Sequence, residues 1–63
     1  MEYNGKWIRV KQKLTQEDLE KKSGISRATI SALESGEQQD IKLSTLKALA
    51  ATLDVSVQEL CGL

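Results

Sequence analysis

Gly24 and Gly36 bracket the stretch that most limits how this chain can fold. Each follows a run of helix-compatible residues and stands where a helix ends in the left-handed conformation that glycine adopts without steric penalty. The starts of the same helices are written just as locally. Thr15-Gln16-Glu17-Asp18 has the form of a capping box, in which a hydroxyl accepts from an orphan N–H of the first turn and an acid three residues on returns the bond. It predicts a helix from Gln16 that Gly24 closes. Ser26 caps the next, which runs to Ser35 and stops at Gly36, and Ser56-Val57-Gln58-Glu59 repeats the box to open a short last helix.

The remaining segments also read as helix. There is no proline, and Leu, Ala, Lys, Glu and Gln are abundant, side chains that lose little rotamer freedom in a helix. Leu43, Leu46, Leu49, Ala50 and Leu53 recur at helical spacing and predict an amphipathic helix over Leu43 to Leu53, with Lys47 and Thr52 outside the stripe. A first helix is predicted from about Asn4 to Lys13, its apolar stripe formed by Tyr3, Trp7, Val10 and Leu14 and flanked by Ile8 and Arg9. No segment alternates with period two, and no Asn-Gly or Asp-Gly hairpin signal occurs. The expectation is an all-α fold: one domain over residues 1–63, a compact bundle of five short helices.

With 63 residues, such a chain builds one small core and sits near the lower limit of independent stability, where a staple or self-association usually helps. Cys61 is the sole cysteine and histidine is absent, so no internal disulfide, zinc-type ligand set or Cys/His nucleophile pair can be assembled. Neither paired carboxylates at a productive spacing nor a phosphate-cradling glycine loop is present, so the reading is a non-enzyme with no cofactor, no metal and no evident small-molecule ligand. No apolar run approaches the ~18 residues of a membrane span and no signal pattern opens the chain, which predicts a cytoplasmic protein without membrane association.

Helices two and three, joined by Ser23-Gly24-Ile25, have the lengths and the bend of a helix-turn-helix over about residues 15–35. Leu19, Ile25, Ile30 and Leu33 would pack the two together. At about 100° per residue, a buried side defined by Ile30 and Leu33 leaves Ala28, Ser31, Ala32 and Ser35 pointing away, with Arg27 on the exposed N-terminal flank. A face of small side chains admits a close neighbour. Any helical hairpin has this spacing, however, so the pattern alone leaves DNA reading and a solvated surface helix both open.

The chain resembles the lambda-repressor-like (Cro/C1-type, XRE) helix-turn-helix family over about residues 8 to 61. The resemblance rests on LTQEDL (14–19), SGISRATISALESG (23–36) and LSTLKALAATLDVSVQEL (43–60), in that order and at those distances. It implies that the second helix lies over the DNA backbone, that the third enters the major groove, and that two copies read a two-fold site. By position in the motif it implies base-facing roles for Arg27, Ala28, Ser31 and Ala32. Arg27 is the one long reader, while alanine methyls can meet thymine methyls and serine hydroxyls either donate or accept. Backbone-contacting roles are implied for Gln16, Ser26, Thr29, Gln38, Gln39 and Lys42. Arg9 and Glu34 match a structural ion pair tying the first helix to the end of the third. A weak homodimer is expected through Val57, Leu60 and Leu63 in the C-terminal segment.

The chain departs from the family pattern at Lys13, which stands where a glycine is usual, at Glu20, which replaces a small residue in the second helix, and at Glu37 and Asp40 in the loop after the third. Net charge is zero, yet residues 1–31 hold seven Lys or Arg against four Asp or Glu, and residues 32–63 hold two against five. A dipolar molecule of this kind can present a basic side, with Lys6, Lys11, Lys13, Lys21, Lys22 and Arg27 as candidates, to a duplex. The function implied is a sequence-specific DNA-binding transcriptional regulator, a repressor of phage or bacterial mobile-element type acting as a dimer on double-stranded DNA. The alternative is a protein-interaction module of the same fold, an antitoxin or anti-regulator, to which the acidic residues of the 37–40 loop would be suited.

Overall fold

The computed structural model describes residues 2–37 and 41–61. Five helices follow one another: α1 (Gly5–Lys11), α2 (Gln16–Ser23), α3 (Arg27–Ser35), α4 (Leu43–Leu53) and α5 (Val57–Cys61). Their ends follow the local chemistry. Thr15 Oγ1 accepts from the Asp18 N–H at 3.0 Å while Asp18 accepts from the Thr15 N–H at 2.9 Å. Ser56 and Glu59 make the same reciprocal pair at the start of α5, at 3.0 and 3.2 Å. Gly24 and Gly36 close α2 and α3 at φ 77° and 80°.

Two other helices end in the left-handed conformation without a glycine. Lys13 has φ 61°, and the bonds around it, Lys13 N–H to the Val10 carbonyl at 2.9 Å and Leu14 N–H to the Arg9 carbonyl at 3.0 Å, form the paired closure of a Schellman motif. Lys13 therefore retains the turn that glycine usually makes there, against the steric penalty of a Cβ in this region. Asp54 does the same after α4 at φ 58°, with Val55 N–H bonded to the Ala50 carbonyl at 3.0 Å.

Helix α4 is the centre of the packing, meeting α1, α2 and α5. Leu46, Leu49, Ala50 and Leu53 from α4 join Leu19, Ile30, Leu33, Leu60 and Cys61 in one apolar core. At roughly 1.5–3 kcal/mol for each fully buried leucine or isoleucine, this cluster is the main source of stability. Leu43, expected in the α4 stripe, is instead 58 % exposed. It occupies the first position of α4.

The first helix is rotated relative to its expected orientation. Trp7 and Val10 face outward, 69 % and 51 % exposed, while Gly5 is buried and Tyr3, Ile8 and Leu14 pack against the core. The polar residues on the inward side explain the rotation. Arg9 reaches Glu34, Gln12 donates to the Leu53 carbonyl at 2.6 Å, and Asn4 is tied to α5 by its N–H to the Leu60 carbonyl at 2.7 Å and its side-chain amide to the Glu59 carbonyl at 3.2 Å. Turning Trp7 and Val10 inward would break these bonds. Gly5 is buried because the Tyr3 ring lies directly over it, where any Cβ would collide with the ring.

Candidate nucleic-acid interface

The bend between α2 and α3 is fixed by short-range bonds. Ser23 Oγ donates to the Leu19 carbonyl at 2.6 Å and accepts from the Ile25 N–H at 3.1 Å, so one hydroxyl both ends α2 and shapes the turn. Beneath it, Leu19, Ile30 and Leu33 are buried and Ile25 packs against them. Ser26, extended at φ −61° and ψ 146°, accepts from the Thr29 N–H at 3.3 Å and donates to Thr29 Oγ1 at 2.9 Å. Helices α2 and α3 thus form one rigid unit, held by packing below and capping bonds at the bend.

Buried Ile30 and Leu33 set the rotation of α3 and leave Arg27, Ala28, Ser31 and Ser35 exposed, with Ala32 half-buried at the edge. The Ser35 hydroxyl turns back to the Ala32 carbonyl at 3.1 Å. Arg27, Ala28 and Ser31 are therefore gathered on one outer surface of a nine-residue helix. Ser26 is exposed at the start of that helix, and Thr29 is half-buried with its hydroxyl engaged by Ser26. Lys42 is exposed at the N-cap of α4, where its carbonyl accepts from the Thr45 and Leu46 N–H groups at 3.0 and 3.2 Å. Gln38 and Gln39 lie outside the described residues. Lys6, Lys11, Lys13, Lys21 and Lys22 are all exposed, Lys21 within 3.3 Å of Glu17.

Behind this surface runs a chain of polar contacts. Arg9 grips Glu34 with two bonds, Nε to Oε2 at 2.8 Å and Nη2 to Oε1 at 3.0 Å, and donates from Nη1 to the Leu14 carbonyl at 2.7 Å. The two side chains are only 11 % and 5 % exposed. Burial alone would push the Glu34 carboxyl up, but hydrogen bonds from Arg9 and Gln16 and the charges of Arg9 and Lys6 outweigh it and hold the group below its ordinary pKa. Arg9 is correspondingly raised, chiefly by its hydrogen bond to Glu34. Nearby, burial and the Glu34 charge push the Tyr3 phenol up to about 12, and its hydroxyl is buried without a hydrogen-bond partner among the described residues.

Gln16 and Glu20 carry three contacts that the sequence pattern does not display. The Gln16 amide donates to Glu34 Oε1 at 3.0 Å and accepts from Arg27 Nε at 3.5 Å, so it bridges the buried pair to the outer face of α3. Glu20 Oε2 accepts from the Arg27 backbone N–H at 2.8 Å, placing a carboxylate at the first turn of α3. Both are long polar side chains on α2, and their partners lie across the bend, so only the folded pair brings them together.

In the C-terminal segment, Leu60 is fully buried within the core, which corrects its expected place on a dimer surface. Its side chain is needed where α5 closes the bundle. Val57 is partly buried against the core, and Leu63 lies outside the described residues. Among the described residues, no group of three Asp, Glu or Cys side chains gathers in a way that could hold a metal ion, and no helix is long and apolar enough to cross a membrane.

Two short helices locked around a glycine bend, the second with an outer face of small side chains, define a helix-turn-helix domain. Comparison with known proteins agrees: a family described as Helix-turn-helix matches residues 6–60, and the chain belongs to it, as a member of Cro/C1 type. An uncharacterized HTH-type transcriptional regulator, RghRB of Bacillus subtilis (strain 168), is 45 % identical over 53 residues, covering 84 % of this chain and 38 % of the relative. The chain thus spans little more than a third of that protein's length. No solved structure matches the chain at a significant level.

Proposed function

We propose that this protein is a sequence-specific DNA-binding transcriptional regulator that reads the major groove with α3. The observation that carries this reading is the outer face of α3, where exposed Arg27 stands beside the small side chains of Ala28 and Ser31 on a helix held rigidly by α2. Short side chains let the helix axis approach the groove floor, and an arginine can offer two donors to guanine O6 and N7. The family to which the chain belongs, and a relative named as an HTH-type transcriptional regulator, support the same reading.

Gln16, Ser26, Thr29, Gln38, Gln39 and Lys42 are assigned to the sugar-phosphate backbone. For Gln16 the assignment falls on the first turn of α2, whose N–H groups can meet a phosphate, because its side-chain amide is engaged with Glu34 and Arg27. The protein measures 23 × 21 × 19 Å, so one copy covers one half-site. Two half-sites on successive major-groove turns stand ~34 Å apart, and a two-fold dimer on DNA is the arrangement that reads both. The regulator is assigned to the repressor type of phages and bacterial mobile elements.

The second reading, a protein-interaction module of antitoxin or anti-regulator type, is favoured by one observation. Trp7 and Val10 stand exposed on α1, and exposed tryptophan is characteristic of protein contacts. Selection from a random duplex pool at low and moderate salt separates the two. Enrichment of a palindromic site with half-sites one helical turn apart is expected for the regulator, and failure to retain any duplex at low salt would refute it.

A further inference from the structure

We propose that Glu20 is a specificity-determining residue of this interface: its carboxylate occupies the Arg27 N–H, keeps phosphate away from Arg27 and so reserves its guanidinium for a base edge, leaving Ser26 and Thr29 to the sugar-phosphate backbone. The proposal rests on the DNA-reading function above. It begins with how the first turn of α3 is satisfied. The Arg27 N–H is taken by Glu20 at 2.8 Å and the Thr29 N–H by Ser26 at 3.3 Å. The N-terminus of a helix carries about half a positive charge and exposed donors, which suits it to bind an anion. Here the protein's own carboxylate fills that position, and it is delivered from α2, a different helix, by a residue seven positions earlier.

The consequence for discrimination follows from what a duplex offers. Phosphates are the same at every sequence, so attraction to them raises affinity for all sites alike, whereas contacts to base edges distinguish sites. A carboxylate fixed at the Arg27 backbone repels a phosphate approaching either the Arg27 N–H or the adjacent guanidinium. It penalises a guanine edge much less, because O6 and N7 are neutral acceptors. Gln16 adds to the same effect by accepting from Arg27 Nε, a bond that does not use the two Nη groups. Arg27 is thus steered on two sides, by Glu20 at its backbone and by Gln16 at its guanidinium.

The test compares wild type, Glu20→Gln and Glu20→Ala on the selected operator and on a scrambled duplex of equal length. Binding is followed by fluorescence anisotropy at low and moderate salt, with thermal melts of each protein alongside. Glu20→Gln keeps a hydrogen-bond acceptor for the Arg27 N–H and removes the charge. It should bind the scrambled duplex roughly threefold or more tightly at low salt and steepen the dependence of log K on log salt by about 0.9, as one additional phosphate contact requires. The operator should gain less, so the ratio of operator to scrambled affinity falls by roughly threefold or more. An unchanged ratio in Glu20→Gln, with wild type still selecting a site, overturns the role of Glu20 and leaves the DNA reading intact. Equal loss on both duplexes with a lowered Tm in both variants also overturns it, since Glu20 would then serve only to hold the bend. A wild-type protein that binds neither duplex at low salt refutes the DNA reading itself, and the proposal with it.

Discussion

Removing the carboxylate of Glu34 is the most severe single change that the structure identifies outside the apolar core. Glu34→Ala deletes the two bonds from Arg9 and the one from Gln16, leaving a guanidinium that is 11 % exposed with, among the described residues, only the Leu14 carbonyl as partner. Breaking a buried pair from one side costs about 3–5 kcal/mol, because the remaining charge stays desolvated. A chain of 63 residues has roughly 3–9 kcal/mol of total stability at ~0.05–0.15 kcal/mol per residue, so the variant should lose at least about a third of its stability, and all of it if the total lies at the low end. Glu17→Ala is the control. Its partner Lys21 stands 3.3 Å away, but the two side chains are 73 % and 60 % exposed, and such a pair is worth about 0.2–1 kcal/mol at most. Urea unfolding followed by circular dichroism measures both. A double variant, Arg9→Met with Glu34→Leu, should recover part of the loss, since it leaves no unpaired charge. The acid limb supplies a second readout. The folded-state pKa of Glu34 is lowered from 4.5, so its stabilisation is complete above that value and is lost as the pH falls through the lower folded-state value; Glu34→Ala should lack this part of the acid transition. If Glu34→Ala and Glu17→Ala unfold within 0.5 kcal/mol of each other, about the usual effect of a neutral surface change, the claim that Arg9 and Glu34 act as a desolvated pair is refuted.

Lys13→Gly should stabilise the fold by about 1 kcal/mol, raising Tm by several degrees, because it removes a Cβ from a left-handed position; a lower Tm would refute the strain ascribed to that turn. The Tyr3 phenol, raised from 10.0 to about 12, favours the folded state while it is neutral, so stability should fall as the pH rises from 10 to 12. Tyr3→Phe should remove that alkaline loss without lowering stability at pH 7, since the buried hydroxyl has no partner to lose among the described residues. Arg27→Ala should weaken operator binding by about 1–3 kcal/mol and relax the selected consensus at one base pair per half-site, leaving affinity for scrambled duplex nearly unchanged. An identical consensus would remove Arg27 from base reading.

The boundaries of these helices were legible because capping is local. Thr15 with Asp18, Ser56 with Glu59, Ser26, Gly24 and Gly36 act on backbone groups within a few residues of themselves, and α4 announces itself by period alone. The outward set on α3 was legible for the same reason, since Ile30 and Leu33 fix a rotation that carries Arg27, Ala28 and Ser31 to the other side. Helix α1 has apolar residues on more than one side, so its periodicity admits two rotations. Trp7 and Val10 stand outside because Arg9, Gln12 and Asn4 find partners on α3, α4 and α5, none of which is visible from α1 itself. Leu60 likewise reads as a surplus apolar residue until the closure of α5 over the bundle uses it. Gln16 and Glu20 are ordinary polar positions on an exposed-looking helix, and folding the bend places the first between Glu34 and Arg27 and the second at the end of α3. Capping and periodicity reach only a turn or two along one chain segment. Which polar side chains meet across separate helices depends on where the apolar core holds those helices, and that is settled when they pack.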